Sequence, residues 1–242
     1  MKDLFSEDSS DYASFRPSYP TDLINYIRTL VPESAIIWEC GAGSGQMTRL
    51  LAPHFHFIHA TDISQPQLDM APTYANVHYT KQRAEHTNFP NQSFHMVIAA
   101  QAAHWFDFDT YYNEVRRVLK RSGLVVLTGY GLLRVEPFID EAIDRFYTQL
   151  GPFWEPERKH IDLDYQSIPF PFEELSTPAF SYRTEWSIEH CMAYLQTWSA
   201  FRKMSKEEKI SRLADLKSKL LHYWQGSKVV TFPTLLRVGY LR

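Results

Sequence analysis

Cysteine is scarce in this chain: of 242 residues only Cys40 and Cys191 carry a thiol. Two thiols are too few for a disulfide framework or an all-cysteine metal site, and they suit a reducing, cytoplasmic setting. No run of about 18 apolar residues occurs, so no spanning helix and no membrane insertion are expected. The opening stretch, MKDLFSEDSSDYASF, is acidic and lacks an apolar core, so it does not read as a signal peptide. Charge of one sign is also lacking, since 25 basic residues against 28 acidic give a net −3. No polyanionic partner such as nucleic acid is advertised by that balance. Glycine is sparse as well, with nine in all, yet Gly41, Gly43 and Gly45 fall within five residues. Glycine costs conformational entropy on folding, so this cluster needs a reason. Either the turn is too tight for side chains or a ligand approaches the backbone.

What is abundant is apolar and aromatic. Hydrophobic residues make up 44% of the chain, enough for a sizeable core, and aromatic residues reach 15%. Most of those rings belong in that core, and the rest could wall a pocket for an organic ligand.

Strand-like and helix-like segments alternate through the first half. Thr21–Val31 carries Leu23, Ile24, Ile27 and Leu30 at helical spacing, and Pro32 stops it. Apolar runs over 35–40, 57–64, 77–83, 94–101 and 124–131 read as five strands, and 46–51 reads as helical. The stretch 109–123 predicts a helix with Asp109 as its cap and Gly123 just past its end. Strands alternating with helices imply a parallel sheet covered on both faces. From 132 to 178 the rhythm gives way to prolines and aromatics, as in a lid or insertion. Then 179–186 alternates like a strand, 187–204 looks helical, and Ser205 with Glu208 forms a capping box for the next helix. Residues 228–241 read as a last strand, with a break expected at Pro233. The organisation expected is a core over 1–131 with an N-terminal cover segment, a lid over 132–178, and completion of the sheet over 179–242.

In an open parallel sheet, ligands bind at the carboxyl ends of the strands, near the point where strand order reverses. The glycine turn follows the first strand, and Asp62 ends the second. A carboxylate there can accept both hydroxyls of a ribose, so the pair suggests a nucleoside-containing cofactor. A tight turn without ligand and an NAD site remain alternatives, although the turn reads G-A-G-S-G rather than G-x-G-x-x-G.

The string Glu39-Cys-Gly41-Ala42-Gly43-Ser-Gly45 resembles the first motif of class I S-adenosylmethionine-dependent methyltransferases. The resemblance implies an α/β, Rossmann-like fold. Its sheet has seven strands, mainly parallel with the last antiparallel, helices cover both faces, and an aromatic-rich lid follows the fifth strand. It also implies S-adenosylmethionine as cofactor, held by Glu39, Gly41, Ala42, Gly43, Gly45, Asp62, Ile63 and Gln101, with Ala84 and Glu85 lining the adenine. More narrowly, Arg16-PSY-Pro20, Ala103-HWFD-Phe108, Gly129-Tyr130, Gly151-PFWE-Glu155 and Thr197-WSA-Phe201 resemble signatures of the trans-aconitate methyltransferase group, which esterifies small organic acids. Glu39, Cys40 and Ser44 depart from that group's usual residues around the glycines, and the lid is comparatively short.

The expected activity is therefore methyl transfer to a small-molecule acceptor, with a carboxylate preferred. A quinone or lipid-like acceptor and a non-catalytic cofactor-binding domain are the alternatives. A carboxylate acceptor favours an arginine clamp, for which Arg16, Arg158 and Arg202 are candidates. Tyr12, Tyr19, Trp105, Tyr130, Trp154 and Trp198 are candidate pocket walls, and His104 is the candidate base. His54, His56 and His59 lack the spacing of a helical metal pair, so no metal is expected.

Overall fold

A computed structural model of the protein describes residues 15–241. The alternation read from the sequence is present. Helix α1 (Thr21–Thr29) buries Leu23, Ile24 and Ile27, and β1 (Ile36–Cys40) leads through the glycine turn to α2 (Gln46–Leu51). Then come β2 (Phe57–Asp62), α3 (Gln65–Asp69), β3 (Val77–Lys81), β4 (Phe94–Ala100), a 3-10 turn at Ala103–Trp105, α4 (Phe108–Val118) and β5 (Leu119–Tyr130). The lid region holds α5 (Pro137–Gln149), two 3-10 turns (Gly151–Phe153 and Pro156–Arg158), α6 (Lys159–Asp162) and the two-residue β6 (Glu173–Glu174). The chain closes with β7 (Ser181–Trp186), α7 (Ile188–Gln196), α8 (Ser199–Arg202), α9 (Lys206–Leu221) and β8 (Lys228–Tyr240).

The strands form one sheet in the order β3-β2-β1-β4-β5-β8-β6, with β7 also on β8. Strands β1 to β5 pair in parallel, and β8 runs antiparallel to β5. The order reverses between β1 and β4, which places the turn after β1 at the switch point. Alternate residues of each strand serve opposite faces. Ile37, Ile58, Met96, Ile98 and Val126 join one buried cluster, while Trp38, Val97, Ala99 and Val125 join the other. Trp38 is fully buried, and its indole N–H donates to Thr61 Oγ1 at 2.8 Å. Burying such a ring removes about 200 Å² from water and contributes roughly 5 kcal/mol.

Four local expectations are corrected. The cap of α4 is Asp107 rather than Asp109, because Asp107 Oδ1 accepts the Thr110 N–H at 3.0 Å and its hydroxyl at 2.6 Å. Gly123 is not a helix terminator, since α4 ends at Val118 and the chain enters β5 directly. Gly123 is small because a Cβ there would lie 2.9 Å from Lys120 O. The helix expected over 187–204 is two helices. It opens at Thr197, whose carbonyl accepts Nη2 of Arg16 at 2.8 Å, and Trp198 is extended.

The fourth correction is at Pro233, which does not break β8. Lys228–Pro233 pair with β7 and Thr234–Tyr240 with β5, so the residue lacking an N–H sits where the strand changes partners. The outer edge of β8 is therefore shared by two short strands, β6 and β7, instead of one. The capping box of Ser205 and Glu208 is present on α9.

Candidate active site

At the end of β1 the chain turns through Gly41, Gly43 and Gly45 with φ of +71°, +55° and +78°. All three are left-handed, where only glycine is unstrained. The N–H groups of Gly41 and Ala42 both donate to Thr61 O at 2.8 and 3.0 Å, strapping the turn to β2. A Cβ on Gly41 would lie 2.5 Å from the Cβ of Ala102, so this glycine also allows close approach of the chain after β4. Gly45 is structural, since a Cβ there would meet Ala71, Pro72 and Tyr79 at 3.1 Å.

Beside the turn opens a cleft of about 790 Å³, counting the space open to solvent at its mouth. Its walls bring together Tyr19, Glu39, Gly41, Ala42, Gly43, Asp62, Ile63, Gln101, Trp105 and Tyr130, all named from the sequence. Asp62 accepts the Gly43 N–H on one oxygen and the Ser64 N–H on the other, both at 2.9 Å. This clamp fixes the orientation of the carboxylate at the edge of the cleft. Glu39 is 1% exposed, and burial pushes its carboxyl up to about 8. The Thr48 hydroxyl, which donates to it at 2.6 Å, opposes that rise, and the charge of Asp62 adds to it.

Ala84 and Glu85, expected beside the adenine, do not line this cleft. Ala84 is packed in the core cluster around Trp38, and Glu85 receives the Asp107 N–H at 3.3 Å and lies 3.7 Å from Arg83. Sequence reasoning did not assign Ser44, Gln46, Met47, Ser64, Gln67 and Ala100, which with Ala102 complete the walls. Only their closeness to the glycines, to Asp62 and to Gln101 could have signalled them.

A second, narrower pocket of about 420 Å³, counting the space open to solvent, shares Gln101 and Trp105 with the cleft. Its other walls are Arg16, His104, Trp154, Arg158, Ile161, Trp198 and Ser199. Arg16 donates from Nη1 to the Tyr130 hydroxyl at 3.2 Å. Arg158 donates from Nε to the Tyr147 hydroxyl at 2.9 Å, and its guanidinium lies 4.8 Å from the Trp154 ring centroid. His104 is 5% exposed. Burial holds its imidazole well below the usual range, and the guanidinium groups of Arg158 and Arg16 and the nearby His160 imidazole push in the same direction. It is therefore neutral at physiological pH and a weak base. Arg202 lines neither cavity, so of the three candidate arginines the structure gathers two. Tyr12 lies outside the described residues.

Comparison with known proteins decides the family. A protein of Dictyostelium discoideum named as a methyltransferase is 32% identical over 224 residues, covering 90% of this chain and 85% of its own. The chain belongs to the class I S-adenosylmethionine-dependent methyltransferases. The sequence signature of the family described as "Methyltransferase domain" matches residues 38–127, from β1 into β5. A methyltransferase-like protein of Schizosaccharomyces pombe is 29% identical, covering 88% of this chain and 84% of its own. A solved structure described as a type II methyltransferase from Anaeromyxobacter dehalogenans is 35% identical, covers 94% of this chain and 98% of its own, and superposes with a TM-score of 0.86.

The site fits the methyltransferase cofactor on its own geometry. The turn is bare where a side chain on Gly41 would intrude, and the clamped carboxylate of Asp62 lines the same cleft. Among the described residues no helix is long and apolar enough to cross a membrane, and no group of three or more His, Cys, Asp or Glu is placed to hold a metal ion.

Proposed function

We propose that this methyltransferase esterifies a carboxylate of a small organic acid bound in the second cavity. Asp62 takes the ribose hydroxyls and the backbone of Gly41–Gly43 takes the amino-acid end of the cofactor. When bound, S-adenosylmethionine supplies a sulfonium methyl: the acceptor oxygen's lone pair forms the new C–O bond and the C–S pair returns to sulfur. A carboxylate is ionised at neutral pH, so no residue has to remove a proton. The protein's task is then alignment and exclusion of water, and alignment alone can supply roughly 7–11 kcal/mol.

The observation that carries the reading is the pair Arg16 and Arg158 in one aromatic-walled cavity next to the cofactor cleft. Guanidinium groups pair with carboxylates through parallel hydrogen bonds, and two of them favour an acid bearing more than one carboxylate, of the trans-aconitate type. A quinone or lipid-like acceptor has no use for two cations in its pocket. The neutral His104 supports the same reading, since a phenol or amine would need a competent base.

The test is incubation of the protein with S-adenosylmethionine and a panel of mono-, di- and tricarboxylic acids, phenols and amines, read by mass spectrometry. Methyl esters of the di- or tricarboxylic acids are expected. Methylation of neutral alcohols or amines alone would sink the carboxylate reading.

A further inference from the structure

Gln101 follows β4 and forms part of the wall of both the cofactor cleft and the acceptor cavity. Its backbone is left-handed, with φ +54°, which glutamine rarely adopts. Such a conformation persists only where the surroundings over-determine it, and it clusters at functional sites. Here three features hold it. Its own N–H donates to Thr128 O at 2.8 Å. Its Oε1 accepts the Tyr130 N–H at 2.8 Å. Position 129 is glycine, and a Cβ there would lie 2.6 Å from that same Oε1.

The bond to Tyr130 also settles which way the amide points. An N–H donor must meet oxygen, so Nε2 is the other end. Nε2 lies 3.5 Å from Tyr130 O, at the limit of a hydrogen bond. The amide thus keeps donor capacity where the two cavities meet. We infer that Gln101 donates an Nε2–H to one oxygen of the acceptor's carboxylate and so turns the other oxygen toward the cofactor cleft. A neutral donor suits this position, because a third cation would face the sulfonium and repel it. The inference rests on the carboxylate reading and adds the group that orients the acceptor once the arginines have captured it.

Two variants separate this role from a structural one. Gln101→Glu is isosteric, keeps an oxygen for the Tyr130 N–H, and replaces the donor by an anion. Gln101→Ala removes both ends. If Gln101 orients the acceptor, kcat/KM for a methylated acid falls about tenfold in Gln101→Ala and about a hundredfold or more in Gln101→Glu. The affinity for S-adenosylhomocysteine by calorimetry should stay within about threefold in both. If Gln101 only secures Tyr130, any loss of activity in either variant follows its loss of thermal midpoint, and Gln101→Ala is the worse variant in both. That order overturns the inference, as does a loss confined to S-adenosylhomocysteine binding. Should Gln101→Ala not fold, Gln101→Glu against the unsubstituted protein decides alone. Failure of the carboxylate reading shows separately, as unsubstituted protein that methylates none of the acids.

Discussion

Replacing Glu39 by glutamine should remove a pH dependence of stability that the buried carboxyl imposes. Burial pushes this group from 4.5 to about 8. A carboxyl whose pKa is higher folded than unfolded stabilises fully below the unfolded value, and that contribution is lost as pH rises through the folded value. Each pH unit between the two removes about 1.4 kcal/mol. Below 6.5 the buried histidines oppose this. His59, His95, His104, His160 and His190 are all held below 6.5, chiefly by burial, so their contribution is complete above that value and fades as pH falls. The thiols, raised by burial, begin to matter only near 9.

From 6.5 to 8, then, Glu39 acts without these competitors. The window is 8 − 6.5 = 1.5 units wide, so about 2 kcal/mol of stability should disappear across it. For a chain of this size that is a fall of about 4–8 °C in Tm. In Glu39→Gln the fall should vanish and Tm at pH 8 should rise by a similar amount, because the glutamine carbonyl can still accept the Thr48 hydroxyl. Thermal unfolding at pH 6.5, 7, 7.5 and 8 measures both slopes. Parallel profiles for the two proteins would falsify the account of Glu39. The same group should also couple to the ligand. Where the cofactor's ammonium reaches Glu39, binding ionises it, so S-adenosylhomocysteine should release a proton at pH 7 in the unsubstituted protein but not in Glu39→Gln. Calorimetry in two buffers of different ionisation heat reads that release.

Asp62→Ala should weaken S-adenosylhomocysteine by about 1–3 kcal/mol, the usual cost of losing hydrogen bonds to a charged group, and unchanged affinity by calorimetry would mean the ribose lies elsewhere. Arg158→Met should raise KM for the acid about tenfold or more while leaving cofactor affinity unchanged, and an unaltered KM would remove Arg158 from the acceptor site. Gly41→Ala should cost about 3 kcal/mol in urea unfolding, since its Cβ would strike Ala102 at 2.5 Å, whereas Gly43→Ala meets only Gln67 Oε1 at 3.3 Å and should cost about 1 kcal/mol. Equal costs would show that the approach to Ala102 is unimportant. Arg237 holds the lid segment through both oxygens of Glu174, at 2.7 and 2.6 Å, and through Ile168 O at 2.5 Å. Arg237→Leu should therefore lower stability by about 3 kcal/mol, and a smaller urea shift than about 1 kcal/mol would show that the pair contributes little.

Those predictions draw on two kinds of residue, and only one kind was legible in the sequence. The strands, the glycine turn and Asp62 could be read because their signals are local. A buried strand needs a short apolar run, and a left-handed turn between strand and helix needs glycine at fixed offsets. The caps were less secure because Asp107 and Asp109 are chemically equivalent and two residues apart, and the choice rests on which side chain meets the Thr110 N–H. The second cavity was harder still. Arg16, His104, Arg158 and Trp198 come from four separate segments, and no periodicity links them.

Arg158 and Arg202 illustrate the limit. Both follow a tryptophan by four residues, in WEPER and WSAFR, and nothing in either string separates them. Arg158 closes a proline-initiated 3-10 turn, and its guanidinium lies 4.8 Å from the Trp154 ring centroid and 5.3 Å from that of Tyr147 at the cavity wall. Arg202 ends a helix whose start follows the break at Thr197, where the carbonyl is taken by Arg16, 181 positions earlier. The same arginine that lines the second cavity therefore interrupts the chain just before the helix that ends in Arg202, which lines neither cavity. A contact of that separation has no signature in either strand or helix period. It follows that the second cavity is assembled by long-range pairings, and that Arg16, by holding Tyr130 and Thr197 together, joins the sheet to the helices that close it.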